Sequence, residues 1–101
     1  MEYFIVIQFP SALFEDFDLL IEFEDELIRI LGEDAVDGHD AGVGEVNFFI
    51  LTSNPAETFE KIRQGSYPVA LTEMKAAFRS TNQEDYNVLW PPNFAGRFQV
   101  S

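Results

Sequence analysis

An α+β sandwich follows from three observations on this chain of 101 residues. Its apolar segments run in the order strand, helix, strand, strand, helix, and a final strand or hairpin. Two of those strands carry large apolar groups on both faces, as strands in the middle of a sheet do. Hydrophobic residues make up 47 % of the chain, with eleven Phe among them. That supplies one core for one domain, residues 1–101, and excludes a disordered acidic tail, which could not offset its chain entropy by burial.

The first strand is Tyr3 to Phe9, rich in β-branched and aromatic residues and stopped by Pro10. Alternation puts Tyr3, Ile5, Ile7 and Phe9 on one face, and Glu2, Phe4, Val6 and Gln8 on the other. Ser11 then caps a helix expected to run to about Leu31, with Gly32 at the position that favours glycine after a helix. On the helical wheel Leu13, Phe17, Leu20, Leu27, Ile28 and Leu31 share the apolar side. Glu15, Asp18, Glu22, Asp25, Glu26 and Arg29 form the outer stripe. Glu24 breaks the pattern, because it falls near the middle of the apolar side. It is either wet where the helix overhangs the sheet edge, or a partly buried carboxylate facing a pocket.

Residues 33–44 hold glycines at 38, 42 and 44, which mark a hairpin connection or a bulged strand. Glu45 to Thr52 is the second strong strand, with Val46, Phe48 and Ile50 on one face and Asn47, Phe49 and Leu51 on the other. Ser53-Asn54-Pro55-Ala56-Glu57 starts the second helix, with a cap, a proline suited to the first helical position, and a glutamate able to close a capping box. Gly65 ends it, and residues 66–73 stay ambiguous. Met74–Ser80 and Tyr86–Trp90 form a terminal hairpin across the polar connection 81–85, followed by a tail over residues 92–101.

This order is the split βαβ arrangement of ferredoxin-like domains, an antiparallel sheet with two helices on one face. The first and third strands are central there, and they are the two with apolar groups on both faces. Two helices cover one face only. Phe4, Val6, Phe49 and Leu51 then form a patch on the open face, which the tail, a second subunit in a homodimer, or a ligand pocket must cover.

Charge is distributed unevenly within the formal net of −12. Residues 1–60 hold fifteen acids and one base, Arg29, for a net of −14; residues 61–101 hold three acids and five bases, for a net of +2. Such a chain is expected to present an acidic face, toward a basic protein partner or simply for solubility, and not to bind nucleic acid or an anionic membrane. No cysteine is present, which excludes a disulfide scaffold and a thiolate metal site. No targeting or membrane-spanning segment is read, and the expected location is the cytoplasm.

One loop gathers groups able to do chemistry. Asp37, His39, Asp40, Glu45 and Asn47 place the only histidine with three carboxylates and an amide. Asp37 and His39, two apart, share a face in an extended segment. A carboxylate beside imidazole fixes its tautomer and suits it to general base work or ligand binding, and Glu24 is a further candidate. The same residue types also belong in a glycine-rich turn. No metal motif of known spacing, phosphate loop or nucleophile elbow occurs, and no cofactor is called for.

The stretch from Gly38 to Phe59, with Gly-His-Asp-x-Gly-x-Gly-Glu-x-Asn-Phe-Phe-Ile-x-Thr before the Asn-Pro helix start, resembles small uncharacterised bacterial ferredoxin-like proteins. The ending Asp85-Tyr86 to Trp90-Pro91 is similar to theirs. The resemblance implies a fold and no activity. By size and charge alone, the chain is also analogous to bacterial immunity proteins that neutralise basic nuclease toxins. Two functions are therefore expected as alternatives. One is a non-catalytic interaction module, whose stripe Glu15, Asp18, Glu22, Asp25 and Glu26 meets a basic partner. The other is a small-ligand or enzymatic site between the open sheet face and residues 37–47.

Overall fold

The computed structural model describes residues 1–94, 96 and 98–100. Ala95, Arg97 and Ser101, within the expected tail, lie outside the described residues. The elements are β1 (Tyr3–Pro10), α1 (Phe17–Leu31), β2 (Val36–Ala41), β3 (Glu45–Thr52), α2 (Pro55–Arg63), β4 (Lys75–Ser80) and β5 (Asn87–Trp90), with single 3-10 turns at Ser11–Phe14 and Leu71–Glu73. The fold is α+β: two helices and one antiparallel sheet of five strands in the order β2-β3-β1-β4-β5.

Both helices pack on one face. Ile5, Ile7 and Phe9 of β1 and Val46, Phe48 and Ile50 of β3 join Leu20, Phe23 and Leu27 of α1 and Phe59 and Ile62 of α2 in one buried cluster. Phe23 is its hub. The Phe23 ring stands edge-on to Phe9 and Phe14, at 5.2 and 5.7 Å, and lies 4.7 Å from Phe48 and 4.4 Å from a stacked Tyr67. Burying a phenylalanine of this kind stabilises the fold by roughly 1.5–3 kcal/mol, before any edge-to-face preference is added.

Helix α1 starts later than the sequence pattern suggests. Ser11 caps nothing; Ser11–Phe14 is a 3-10 turn that drives Phe14 into the core, and Asp16 is the true cap, its side chain accepting from Asp18 N–H at 2.9 Å. The buried stripe of the helix runs along Leu20, Phe23 and Leu27. Phe17, expected on the apolar side, is 63 % exposed, and Phe23 takes the central buried position. At the second helix the start signal is read correctly: Asn54 Oδ1 accepts from Glu57 N–H at 3.2 Å, and Pro55 occupies the first turn.

Residues 36–41 resolve into a bulged strand at the sheet edge, not a plain connection. The register passes from Val36↔Ile50 to Gly38↔Phe49, so β2 carries one residue more than β3 there. Gly38 has φ +109°, a conformation that a side chain would strain. The other edge, β5, has only four residues before Pro91 and Pro92.

The second face of the sheet is not bare. Val6 and Ala77 are fully buried beneath Phe98, with Phe49, Tyr86, Phe94 and Val100 packed around them. Of the three covers the sequence allows for this face, the tail is the one seen within the chain.

Candidate functional site

The six residues singled out for ligand chemistry divide between the two faces of the sheet. Glu24, one turn below Leu20 on α1, reaches past the edge of the core to β2. Its Oε2 lies 2.9 Å from His39 Nδ1, and the two side chains are only 17 % and 29 % exposed. His39 stands opposite Phe48, so it lies on the helix-covered face, with its ring 6.3 Å from that of Phe48. Glu24 is therefore neither fully wet nor turned into a cavity. It tethers α1 to the edge strand, and holding Nδ1 leaves Nε2 as the nitrogen available for a proton or a ligand.

Asp37 has no register partner on β3. The bulge between Val36 and Gly38 interrupts the period, and His39 falls on the face of Val36. Asp37 is exposed at the bulge. Asp40 pairs with Asn47 on the opposite face. Glu45 begins β3 opposite Pro10, where it borders a cavity of about 130 Å³ shared with Gln8, Glu73 and Lys75. Among the described residues, no group of three or more His, Asp or Glu is placed to hold a metal ion.

Asn47 is fully buried. Its Oδ1 accepts from Gln8 Nε2 at 3.0 Å, and Gln8 Nε2 also donates to the Gln99 carbonyl at 2.8 Å. This amide pair holds the tail against the sheet, and Asn47 Nδ2 has no partner among the described residues. The sequence signal for Gln8 was its polarity inside an otherwise apolar central strand.

Two larger cavities, of about 520 and 540 Å³, open between residues 81–86 and the tail. Arg79 lines the first; its Nη1 donates to the carbonyls of Ser80 and Gln83, and its guanidinium lies over the rings of Phe4 and Tyr86 at 5.3 and 5.9 Å. Of the expected open-face patch, Val6 is covered, while Phe4, Phe49 and Leu51 are half-buried.

The acidic stripe is not uniform. Asp18, Glu22 and Asp25 are exposed on α1; Glu15, expected on the same helix, is exposed too but precedes it, because α1 starts only at Phe17. Glu26 is instead engaged: Arg29 Nε and Nη2 donate to its two oxygens at 2.6 and 2.8 Å, and Ser66 N–H donates at 2.8 Å. Those contacts, the Arg29 bond foremost, hold its carboxyl down to about 2. Nearby, burial and then the Glu26 charge raise the Tyr67 phenol above its ordinary value, and Tyr67 O–H donates to the Ile62 carbonyl at 2.7 Å. Glu26 thus ties α1 to the segment after α2 and is a poor member of a free binding stripe.

No helix among the described residues is long and apolar enough to cross a membrane. No protein-family model, curated protein or solved structure matches the chain.

Proposed function

We propose that this chain is a non-catalytic cytoplasmic interaction module that binds a basic protein through the outer side of α1. One observation carries the reading. Ion pairs engage Glu24, Glu26, Glu57 and Glu60, while Glu15, Asp18, Glu22 and Asp25 stand exposed and take part in none of these pairs. Like charges left together along α1 and just before it create a field that steers a cationic partner and makes its association fast and salt-dependent. A protein of immunity type, neutralising a basic toxin, is the partner relation this surface suits.

The finer fold assignment belongs to the same proposal. The order β2-β3-β1-β4, in which α1 links β1 to β2 across β3 and α2 links β3 to β4 across β1, supports a ferredoxin-like unit extended by β5 and the tail.

The test is a pull-down from low to high salt with the wild-type chain and with a variant carrying Glu15→Lys, Asp18→Lys, Glu22→Lys and Asp25→Lys. The expected result is capture of a basic protein at low salt, lost on raising salt and lost in the variant. Capture unchanged by the four reversals sinks the reading.

A further inference from the structure

Among the described arginines, Arg29 and Arg63 pair with the carboxylates of Glu26 and Glu60. Arg79 takes part in none of the ion pairs among the described residues. Its Nη1 donates instead to two main-chain carbonyls, Ser80 at 3.2 Å and Gln83 at 2.8 Å. Carbonyls fix a guanidinium without cancelling its charge. The rings of Phe4 and Tyr86, at 5.3 and 5.9 Å, hold it further. The side chain is half-buried. A cation ordered by the fold in this way need not be ordered again by a ligand, which removes one cost of binding.

While Nη1 serves the two carbonyls, Nε and Nη2 serve no described acceptor. Those two nitrogens carry the parallel N–H pair with which a guanidinium grips both oxygens of a carboxylate. Arg29 shows that grip within this chain: its Nε and Nη2 hold the two oxygens of Glu26 at 2.6 and 2.8 Å. Arg79 keeps the same edge without a described partner.

Arg79 lines the cavity of about 520 Å³, together with Thr81, Asn82, Gln83, Glu84 and Tyr86. That volume suits a small molecule, and the hydroxyl and amide side chains supply neutral hydrogen-bonding groups. The cavity of about 540 Å³ shares Glu84 and Tyr86 with the first and continues along Val88, an aliphatic side chain left 38 % exposed. One end of this joined space therefore offers a fixed cation, and the other offers apolar surface. Glu84 borders both cavities and Asp85 the second, so a ligand with more than one negative charge meets repulsion there. We propose that Arg79 anchors a binding site for a small organic monocarboxylate with an apolar body. The carboxylate lies on the Nε–Nη2 edge, and the body lies along Tyr86 and Val88. The site uses none of the acids of α1 and is independent of the protein partner they serve.

The test is an amide chemical-shift titration of the full chain with 3-phenylpropionate, run beside 3-phenylpropanol, acetate and phenyl phosphate at one pH and salt concentration. The expected result is saturable binding of 3-phenylpropionate that shifts amides between residues 79 and 88. The alcohol, acetate and phenyl phosphate should each bind at least fivefold more weakly. Arg79→Lys keeps the positive charge and removes the two-toothed edge, so it should weaken 3-phenylpropionate at least fivefold. Val88→Asp, which spoils the apolar end, should do the same. If Arg79→Lys loses the native amide spectrum, Val88→Asp and the ligand ranking on the wild-type chain decide. No saturable shift at about 10 mM ligand overturns the proposal. So does a shift map that lies outside residues 79–88, or an affinity indifferent to both substitutions. An alcohol, acetate or phenyl phosphate that binds as tightly as 3-phenylpropionate overturns it as well.

Discussion

Glu24 and His39, fifteen residues apart in the chain, meet at 2.9 Å and join the first helix to the edge strand of the sheet. The contact explains why a carboxylate sits on the wrong side of an amphipathic helix. At that point α1 lies beside β2, and its neighbour is an imidazole on that edge strand.

A double-mutant cycle measures what this contact contributes. Glu24→Gln and His39→Ala should each destabilise the fold, and their effects should fail to add by about 0.5–1 kcal/mol, the range of a partly exposed pair. Urea unfolding of the four chains gives the coupling. Strict additivity would show that the two groups are neighbours and nothing more.

Glu26 predicts a pH dependence. Its carboxyl is held at about 2 in the folded chain, below its ordinary 4.5. A carboxyl depressed by folding stabilises the native state above the unfolded value, and the contribution fades as pH falls toward the folded one. The wild type should therefore exceed Glu26→Gln in stability at neutral pH, and the gap should close between about pH 4.5 and 2. Urea midpoints measured across that interval check it. A gap independent of pH would place the effect of the substitution elsewhere.

The two phenylalanines of α1 should behave oppositely. Phe23→Ala empties the hub of the ring cluster and should cost about 3–5 kcal/mol. Phe17→Ala, at a residue 63 % exposed, should stay within about 0.5 kcal/mol of wild type. Thermal melts separate these outcomes easily.

Gly65 gives a packing prediction. A Cβ there would meet Ile30 Cδ1 at 2.5 Å and the Tyr67 ring at 2.8 Å. Ile30 can swing away, but the Tyr67 hydroxyl is bonded to the Ile62 carbonyl and its ring is stacked on Phe23. Gly65→Ala should cost about 1–3 kcal/mol, as overpacking does. A neutral effect on melting would mean that Tyr67 moves freely.

Much of this fold is legible in residue order. The strand Glu45–Thr52, the Asn54-Pro55 start and the apolar runs on both faces of β1 and β3 depend on local chemistry and on a period of two, and all appear in the sequence. The start of α1 does not: Ser11 suits a cap by residue type, but the structure caps the helix with Asp16, of a type that suits the position equally well. The site residues are less legible. Glu24 and His39 each stand out in the sequence, but their meeting depends on a bulge that changes which face His39 takes, and alternation alone cannot place a bulge. The role of Gln8 is not legible, because its partners, Asn47 and the Gln99 carbonyl, lie far from it in the chain.

The bulge at Val36–Gly38 has a consequence for how the molecule can be approached. It kinks one margin of the sheet and sets Asp37 and Asp40 along it, while the opposite margin ends after four residues at two prolines. A sixth strand from another chain would find neither margin straight, long or neutral enough to extend the hydrogen-bonded ladder. Lateral growth is blocked on both sides, so fibre-like stacking is disfavoured and encounters are confined to the broad surfaces.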